Sequence, residues 1–83
     1  MKMVIVTLTC AAEKSYDMEM PCQVPVKPLI THICQTLNLY TEGAINLQPQ
    51  SLRLWCRRLE RVLSPGETLE DAGIWNGDHI DLK

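Results

Sequence analysis

The chain has 83 residues, 46% hydrophobic and 22% charged, which predicts a single small globular domain whose core is too small for a deep catalytic cleft. Its formal net charge of −2 argues against a general attraction to nucleic acid or to anionic membranes. No apolar run is long enough for a transmembrane helix or for the hydrophobic region of a signal peptide, so we expect a cytoplasmic location.

The first two predicted elements form an N-terminal β-hairpin joined by a loop at 11–14. Residues 3–10 predict a strand whose even positions are apolar, while Thr7 and Thr9 favour an outward orientation for the odd positions. Residues 15–21 alternate more cleanly, with apolar and acidic side chains on opposite faces. Pro21 is expected to end this strand because it has no amide proton to donate.

Residues 25–38 predict the one long helix. Pro25 suits the first helical position, and Pro28 must lie in the first turn because a deeper proline costs about 3 kcal/mol. His32 is on the outer side of this helix and is expected to be solvated. The apolar residues recur at spacings of three and four and form one stripe, made of Val26, Leu29, Ile30, Ile33 and Leu37.

The middle of the chain predicts a loop and a second pair of strands. Residues 40–50 have no period and read as a loop. Residues 51–57 alternate and predict the third strand, a turn follows at 58–61, and Val62 with Leu63 predicts a very short strand. The non-apolar side of the third strand carries Arg53, Trp55 and Arg57.

The closing segment begins with a turn and a short helix. Pro65 and Gly66 suit the central positions of a type II turn, in which glycine accepts a positive φ. Thr68 and Asp71 resemble a capping box at the start of a helical turn. Gly73 is placed where that turn needs a left-handed residue to end it.

The chain then turns again and ends in a strand. Asn76 and Gly77 form a strong turn dipeptide. Residues 79–82 alternate polar and apolar, as a half-buried strand does. Trp75 lies between the helical turn and this dipeptide, and we expect it to be partly buried.

The order of elements is strand, strand, helix, strand, short strand, helical turn, strand. A single helix has one apolar stripe to bury, and a sheet with one apolar face is its natural partner, which predicts a two-layer α+β domain. The first and last strands can pair in parallel at the centre of the sheet, because a crossover that contains the helix separates them.

This order, with residues 68–74 and 77–82, resembles the ubiquitin-like β-grasp fold over essentially the whole chain. The resemblance implies a single domain spanning residues 1–83. Its mixed sheet would have four to five strands, with one main helix packed across one face and a short helical turn before the last strand.

Within that fold the chain is similar to the small bacterial YukD/EsaB family. The similarity rests on residues 16–20, on residues 25–27 at the start of the helix, on residues 52–55, and above all on the Leu-x-Asp-x-Gly-Ile-x-Asn-Gly-Asp spacing of residues 69–78. It implies a non-enzymatic, protein-binding accessory component of a type VII (WXG-type) secretion system. An alternative is the cytosolic ubiquitin-like domain of a larger membrane transporter subunit of that system.

A generic β-grasp modifier or sulfur carrier is a further alternative. Those proteins need a flexible tail that ends in Gly-Gly, whereas this chain ends at Lys83. We therefore expect no conjugation. The glycines are internal: Gly43, Gly66, Gly73 and Gly77.

The outer face of the sheet is the candidate site for protein partners. In the β-grasp order the last strand lies between the first and the third, so Trp55 and its flanking arginines would be next to the last strand. An exposed tryptophan flanked by arginine has the composition of an interaction hot spot. Alternatively, Trp55 is half-covered by its neighbours and binds nothing. The candidate partner-binding residues are Ile5, Thr7, Arg53, Trp55, Arg57, His79 and Asp81.

Other chemistry is weakly supported by the sequence. The one basic cluster is expected to be solvated or paired with Glu60 and Asp81, so we expect no nucleic-acid partner and no insertion into a membrane. His32 and Cys34 diverge on their helix, which argues against a catalytic pair. A weak homo-oligomer through an exposed strand edge stays open. The basic cluster consists of Arg53, Arg57, Arg58 and Arg61.

The four cysteines carry no recognisable framework. No Cys-x-x-Cys pair is present, and the two histidines are not spaced as zinc ligands, so we expect no metal and no other cofactor. Without a secretion signal, reduced thiols that pack as small hydrophobic residues are favoured over two disulfides. These residues are Cys10, Cys22, Cys34 and Cys56.

Overall fold

The computed structural model describes residues 2–10, 14–43 and 47–83. Most of the predicted hairpin loop at 11–14 and part of the predicted loop at 40–50 lie outside the described residues. The elements are β1 (Met3–Thr9), β2 (Ser15–Pro21), α1 (Val26–Tyr40), a 3₁₀ turn (Pro49–Ser51), β3 (Leu54–Cys56), β4 (Arg61–Val62), α2 (Leu69–Ala72) and β5 (His79–Leu82).

The main helix confirms the predicted stripe. Every residue of that stripe is buried, and Cys34 joins it. Pro25 is the residue before the helix, with extended backbone angles (φ −57°, ψ 149°), so the prediction that it takes the first helical position was wrong by one residue. Pro28 lies in the first turn as predicted, where its missing amide proton breaks no helical hydrogen bond. The helix ends at Tyr40, two residues later than predicted.

The five strands form one mixed sheet in the order β2-β1-β5-β3-β4. Among these described strands, only β1 and β5 pair in parallel, and they do so at the centre, as the crossover predicts. Their register sets Leu8 opposite Ile80, both fully buried. The even positions of β1 therefore face α1, and the odd positions face away from it.

The core lies between α1 and one face of the sheet. It includes Val6 and Leu8 from β1, Leu54 from β3 and Ile80 from β5, none of which is exposed to solvent. All four cysteines are buried thiols within or beside this core. Burial raises the pKa of the Cys34 thiol above its usual value, which keeps the thiol protonated and unreactive.

The third and fourth strands differ from their predicted bounds. The predicted strand at 51–57 is only three residues long, and the 3₁₀ turn takes up Ser51, the first residue of the prediction. Backbone hydrogen bonds continue beyond its ends, from Arg53 to Lys83 and from Arg57 to His79. β4 begins at Arg61, one residue earlier than predicted.

The closing helical turn confirms its predicted caps. The Thr68 hydroxyl accepts from the Asp71 amide, and the Asp71 carboxylate accepts from the Thr68 amide. Gly73 adopts the left-handed conformation (φ 75°, ψ 35°). The amide of Ile74 then reaches back to the Leu69 carbonyl at 3.0 Å, which completes a Schellman-type end.

The two turns that flank this helix differ in the φ angle of their glycines. The amide of Glu67 bonds to the carbonyl of Ser64, but Gly66 has no positive φ, so the predicted type II turn was wrong. Proline before Gly66 suits a type I turn equally well. In the second turn Gly77 does have a positive φ of 87°, the angle that a type II turn requires.

Two glycines offer a test of this backbone geometry. A Cβ atom on Gly73 or on Gly66 would meet no atom within 4 Å, so the two sites differ in φ and not in space. We expect Gly73→Ala to lower the free energy of unfolding by about 1–2 kcal/mol, because alanine is strained at positive φ. Gly66→Ala should stay within about 0.5 kcal/mol of the wild type or be more stable. Urea unfolding measures both, and equal losses would contradict the assignment.

Candidate functional site

The strand register brings six side chains together on the side of the sheet that faces away from α1. Thr7 is paired with His79 and Thr9 with Asp81 across the parallel strands, and Trp55 is paired with Asp81 across β3. Side chains alternate along each strand, so these residues share one face. We call this surface the outward face, and it consists of Thr7, Thr9, Trp55, Arg57, His79 and Asp81.

Hydrogen bonds connect the polar members of the outward face. The Thr9 hydroxyl is bonded to Nε2 of His79 at 2.6 Å. Arg57 donates to both carboxylate oxygens of Asp81, at 3.0 Å and 2.9 Å. These bonds from Arg57 hold the pKa of Asp81 below its usual value. The carboxylate therefore stays charged, and the network is ordered before any partner arrives.

Apolar surface flanks this network on two sides. Trp55 is half-buried, with the Lys83 ammonium 5.5 Å from the centre of its ring. Val62 is opposite Trp55 on β4 and is 47% exposed. Ile5, on β1, is 52% exposed. The half-covering that we predicted as the alternative for Trp55 is present, yet part of the ring remains open to solvent.

The structure unites most, but not all, of the predicted partner-binding residues. Ile5 is one step along β1 from the network, beside the turn that precedes β5, and its amide donates to Oδ1 of Asn76. The Thr7 hydroxyl bonds to Asp17 of β2. Arg53 has its guanidinium against the carbonyl of Leu52 and lines a groove beside α1. Thr9 also belongs to the outward face, although it was not among the predicted residues; its alternation with Thr7 along β1 is the signal that could have identified it.

A second polar cluster, which was not predicted from the sequence, links the closing segment to the turn after β3. Asp78 is 7% exposed and accepts two bonds from Arg58, at 2.8 Å and 3.0 Å, and one from the Trp75 amide. The Arg58 bonds hold the pKa of Asp78 below its usual value. The same guanidinium is 3.7 Å from the centre of the Trp75 ring. Trp75 is 63% exposed, so the predicted partial burial was wrong.

Three of the four clustered arginines have carboxylate partners. Arg57 pairs with Asp81 as predicted, whereas Arg58 pairs with Asp78 and Arg61 with Glu67. The pairing with Glu60 that we expected is not among the ion pairs of the described residues. Because these charges are neutralised locally, the cluster does not form a continuous basic surface. The remaining member is Arg53.

Metal and acid–base chemistry find little support in the arrangement. Within residues 2–10, 14–43 and 47–83, no three His, Cys, Asp or Glu side chains are grouped so that they could hold a metal ion. Cys34 is buried, while His32 is on the exposed side of the same helix. Over the same residues, none of the helices has the length and apolar character needed to cross a membrane.

Solved structures with the same architecture define the class of the fold. The ubiquitin-like domain of EccD5 from Mycobacterium xenopi matches with a TM-score of 0.81 at 18% identity, covering 100% of this chain and 94% of that one. The ubiquitin-like domain of the Mycobacterium tuberculosis type VII secretion protein EccD1 matches with 0.75 at 20% identity, covering 99% and 98%. Ubiquitin of Caldiarchaeum subterraneum matches with 0.72 at 23%, covering 98% and 91%. The domain is a ubiquitin-like β-grasp.

The sequence family is narrower than the fold. A family model described as "WXG100 protein secretion system (Wss), protein YukD" matches residues 3–82. The chain therefore belongs to the YukD family of type VII secretion, as the spacing of residues 69–78 indicated. A comparison with curated proteins returns no match.

The Arg61–Glu67 pair predicts how stability depends on pH. The Arg61 guanidinium, aided by the Ser64 amide, lowers the pKa of Glu67 from 4.5 to about 2. A group with a lowered folded-state pKa stabilises the fold above its unfolded pKa and stops doing so as pH falls through its folded pKa. The free energy of unfolding should thus decrease between about pH 5 and pH 2.

Glu67→Gln should flatten this decrease, because glutamine cannot be protonated. Chemical unfolding at a series of pH values provides the measurement. Glu19→Gln is the matched control, since Glu19 is exposed and has no ion-pair partner among the described residues. A decrease that is as steep in Glu67→Gln as in the wild type and in the control would contradict the assignment.

Proposed function

We propose that this domain is a non-enzymatic, cytoplasmic protein-binding component of its type VII secretion system, and that the outward face holds the protein partner. The observation that supports this best is the partly open ring of Trp55 beside the hydrogen-bonded pair of Arg57 and Asp81. Tryptophan and arginine are enriched among residues that dominate binding energy. We assign the same role to His79, Thr7 and Ile5.

The hydrogen bonds that already hold the side chains of this face lower the entropy cost of binding a partner. Side chains that are immobilised on association cost roughly 0.5–1.5 kcal/mol each in lost freedom. Thr9, His79, Arg57 and Asp81 are already held by hydrogen bonds in the unbound domain. A partner would therefore bury the Trp55 ring and Val62 without having to order the polar groups around them.

Replacement of Trp55 tests this role. We expect Trp55→Ala to stay folded and to weaken partner binding by about 30-fold or more, the loss typical of a central tryptophan. In the native host, a deletion strain complemented with Trp55→Ala should export less of the WXG-type substrates than one complemented with the wild type. Trp75→Ala is the control, because Trp75 is the other tryptophan, is exposed and lies outside the outward face.

The outcomes separate the two parts of the proposal. Unchanged export in the full deletion would contradict a role in secretion. Loss of export in the deletion, with full rescue by Trp55→Ala, would contradict only the outward face. Circular dichroism of both tryptophan variants establishes that each is folded.

The EccD similarities support a second candidate function. Two ubiquitin-like domains of EccD proteins superpose on essentially the whole of this chain. The chain could therefore serve as the cytosolic ubiquitin-like domain of a larger membrane transporter subunit. In that case the outward face would bind another component of the same assembly.

The gene sequence after the Lys83 codon distinguishes these candidates. For a separate accessory protein we expect a stop codon close to that position. For a transporter subunit we expect an open reading frame that continues into apolar segments of about 20 residues, the length that spans a bilayer. Sequencing the transcript on both sides of the coding region provides the measurement, and such a continuation would overturn the first candidate.

Self-association through a strand edge remains a prediction. The edges of the sheet are β2 and β4. β4 is only two residues long, and β2 presents the exposed acidic residues Asp17 and Glu19. Short and charged edges disfavour the pairing of strands between copies. Any homo-oligomer formed this way would therefore be weak.

A further inference from the structure

A groove of about 400 Å³ lies on the helix side of the sheet, between the first half of α1 and the chain that leads into β3. This volume is within the range of sites that bind small ligands or single side chains. Its floor is apolar, with Val26 and Ile30 buried and Leu52 half-buried. Lys27 and Arg53 also line the groove, and both residues are exposed.

The two cations of the rim differ from the arginines of the sheet. Among the described residues, neither Lys27 nor Arg53 forms an ion pair, whereas Arg57, Arg58 and Arg61 all do. Of the residues that the structure describes, no acidic one lines the groove. The first turn of α1 has none either, so the partial positive charge of the helix start is not offset there. In a chain of net charge −2, this groove is a local positive site.

The backbone at this end of the groove is already engaged. The Val26 amide donates to the Glu67 carbonyl at 2.9 Å, and the Lys27 amide donates to the Pro65 carbonyl at 3.0 Å. The rim also contains Pro49 and Pro65, which have no amide proton. These four positions therefore offer no free amide to a ligand, and the features that they do offer are apolar contact and side-chain charge.

We propose that this groove binds a peptide segment of a partner protein, with an apolar side chain on the Ile30–Leu52 floor and an Asp or Glu side chain against Lys27 and Arg53. Charge complementarity selects this occupant, because two unpaired cations beside apolar surface match a carboxylate next to an apolar residue. The groove is on the opposite side of the sheet from Trp55. The proposal goes beyond the role of the outward face and does not rest on it.

Titration of the ¹⁵N-labelled full chain with a short peptide tests the proposal. The probe is acetyl-Leu-Glu-Leu-Glu-amide, whose blocked ends leave only side-chain carboxylates, and the control peptide has Gln in place of Glu. We expect chemical-shift changes at Lys27, Ile30, Leu52 and Arg53 with the Glu peptide. Added salt should weaken the binding, because the charges are exposed.

Substitutions at the rim test the proposal quantitatively, through the affinity for the Glu peptide. Lys27→Gln and Arg53→Gln should each weaken the affinity about two- to five-fold, the range for an exposed ion pair. Lys14→Gln is the charge-matched control, because Lys14 is exposed and does not line the groove. Trp55→Ala should bind the peptide as the wild type does, so failure of the groove is distinguishable from failure of the outward face.

Three results would overturn the proposal. One is the absence of shifts with the Glu peptide, and another is equal affinity for the Glu and Gln peptides. The third is an unchanged affinity in both rim variants. The ¹⁵N spectra of the variants show directly that each is folded, so a loss of binding cannot arise from unfolding.

Discussion

The parallel pairing of β1 with β5 is the constraint on which the rest of the structure depends. These strands come from opposite ends of the chain, so the residues between them must cross from one edge of the pair to the other. The crossover contains α1, whose apolar stripe then covers the sheet. The register of Leu8 with Ile80 decides which residues face the helix. A slip by one residue would bury the polar side chains of β5 and expose its apolar ones.

The family motif at residues 69–78 has a physical explanation in the way β5 reaches this position. Asp71 completes the capping box, and Gly73 ends the helical turn with a positive φ. The Asn76 side chain then accepts from the Ile5 amide, and the Gly77 amide donates to the Ile5 carbonyl at 2.8 Å. The turn is thus fixed against β1 before β5 begins.

Asp78 completes this arrangement with both its backbone and its side chain. Its carbonyl accepts from the Thr7 amide at 2.9 Å, which starts the parallel ladder. Its carboxylate accepts from Arg58, which ties the ladder to the turn after β3. Most positions of the motif therefore help to place β5. The spacing thus indicates the family although it carries no catalytic group.

The sequence predicts those features that depend on neighbouring residues. The stripe of α1, the capping box at Thr68 and the end at Gly73 each involve contacts within a few positions, and the structure confirms them. One failure concerns a contact between distant side chains. Trp75 is exposed, and its ring stacks with Arg58, seventeen positions earlier, instead of packing into the core. The prediction of the turn at Gly66 failed for a different, local reason: proline before glycine is compatible with both type I and type II turns.

The distribution of charge distinguishes the two surfaces that we propose as binding sites. A single helix covers one side of the sheet, so the outward face contributes little apolar burial and its side chains are not constrained by the core. There the charges are paired with one another, and Trp55 supplies the contact area. Beside the helix, Lys27 and Arg53 have no carboxylate partner among the described residues, and the floor beneath them is apolar. Under the two proposals, the outward face would bind its partner mainly through the contact area of Trp55, and the groove would bind a partner that supplies the missing negative charge.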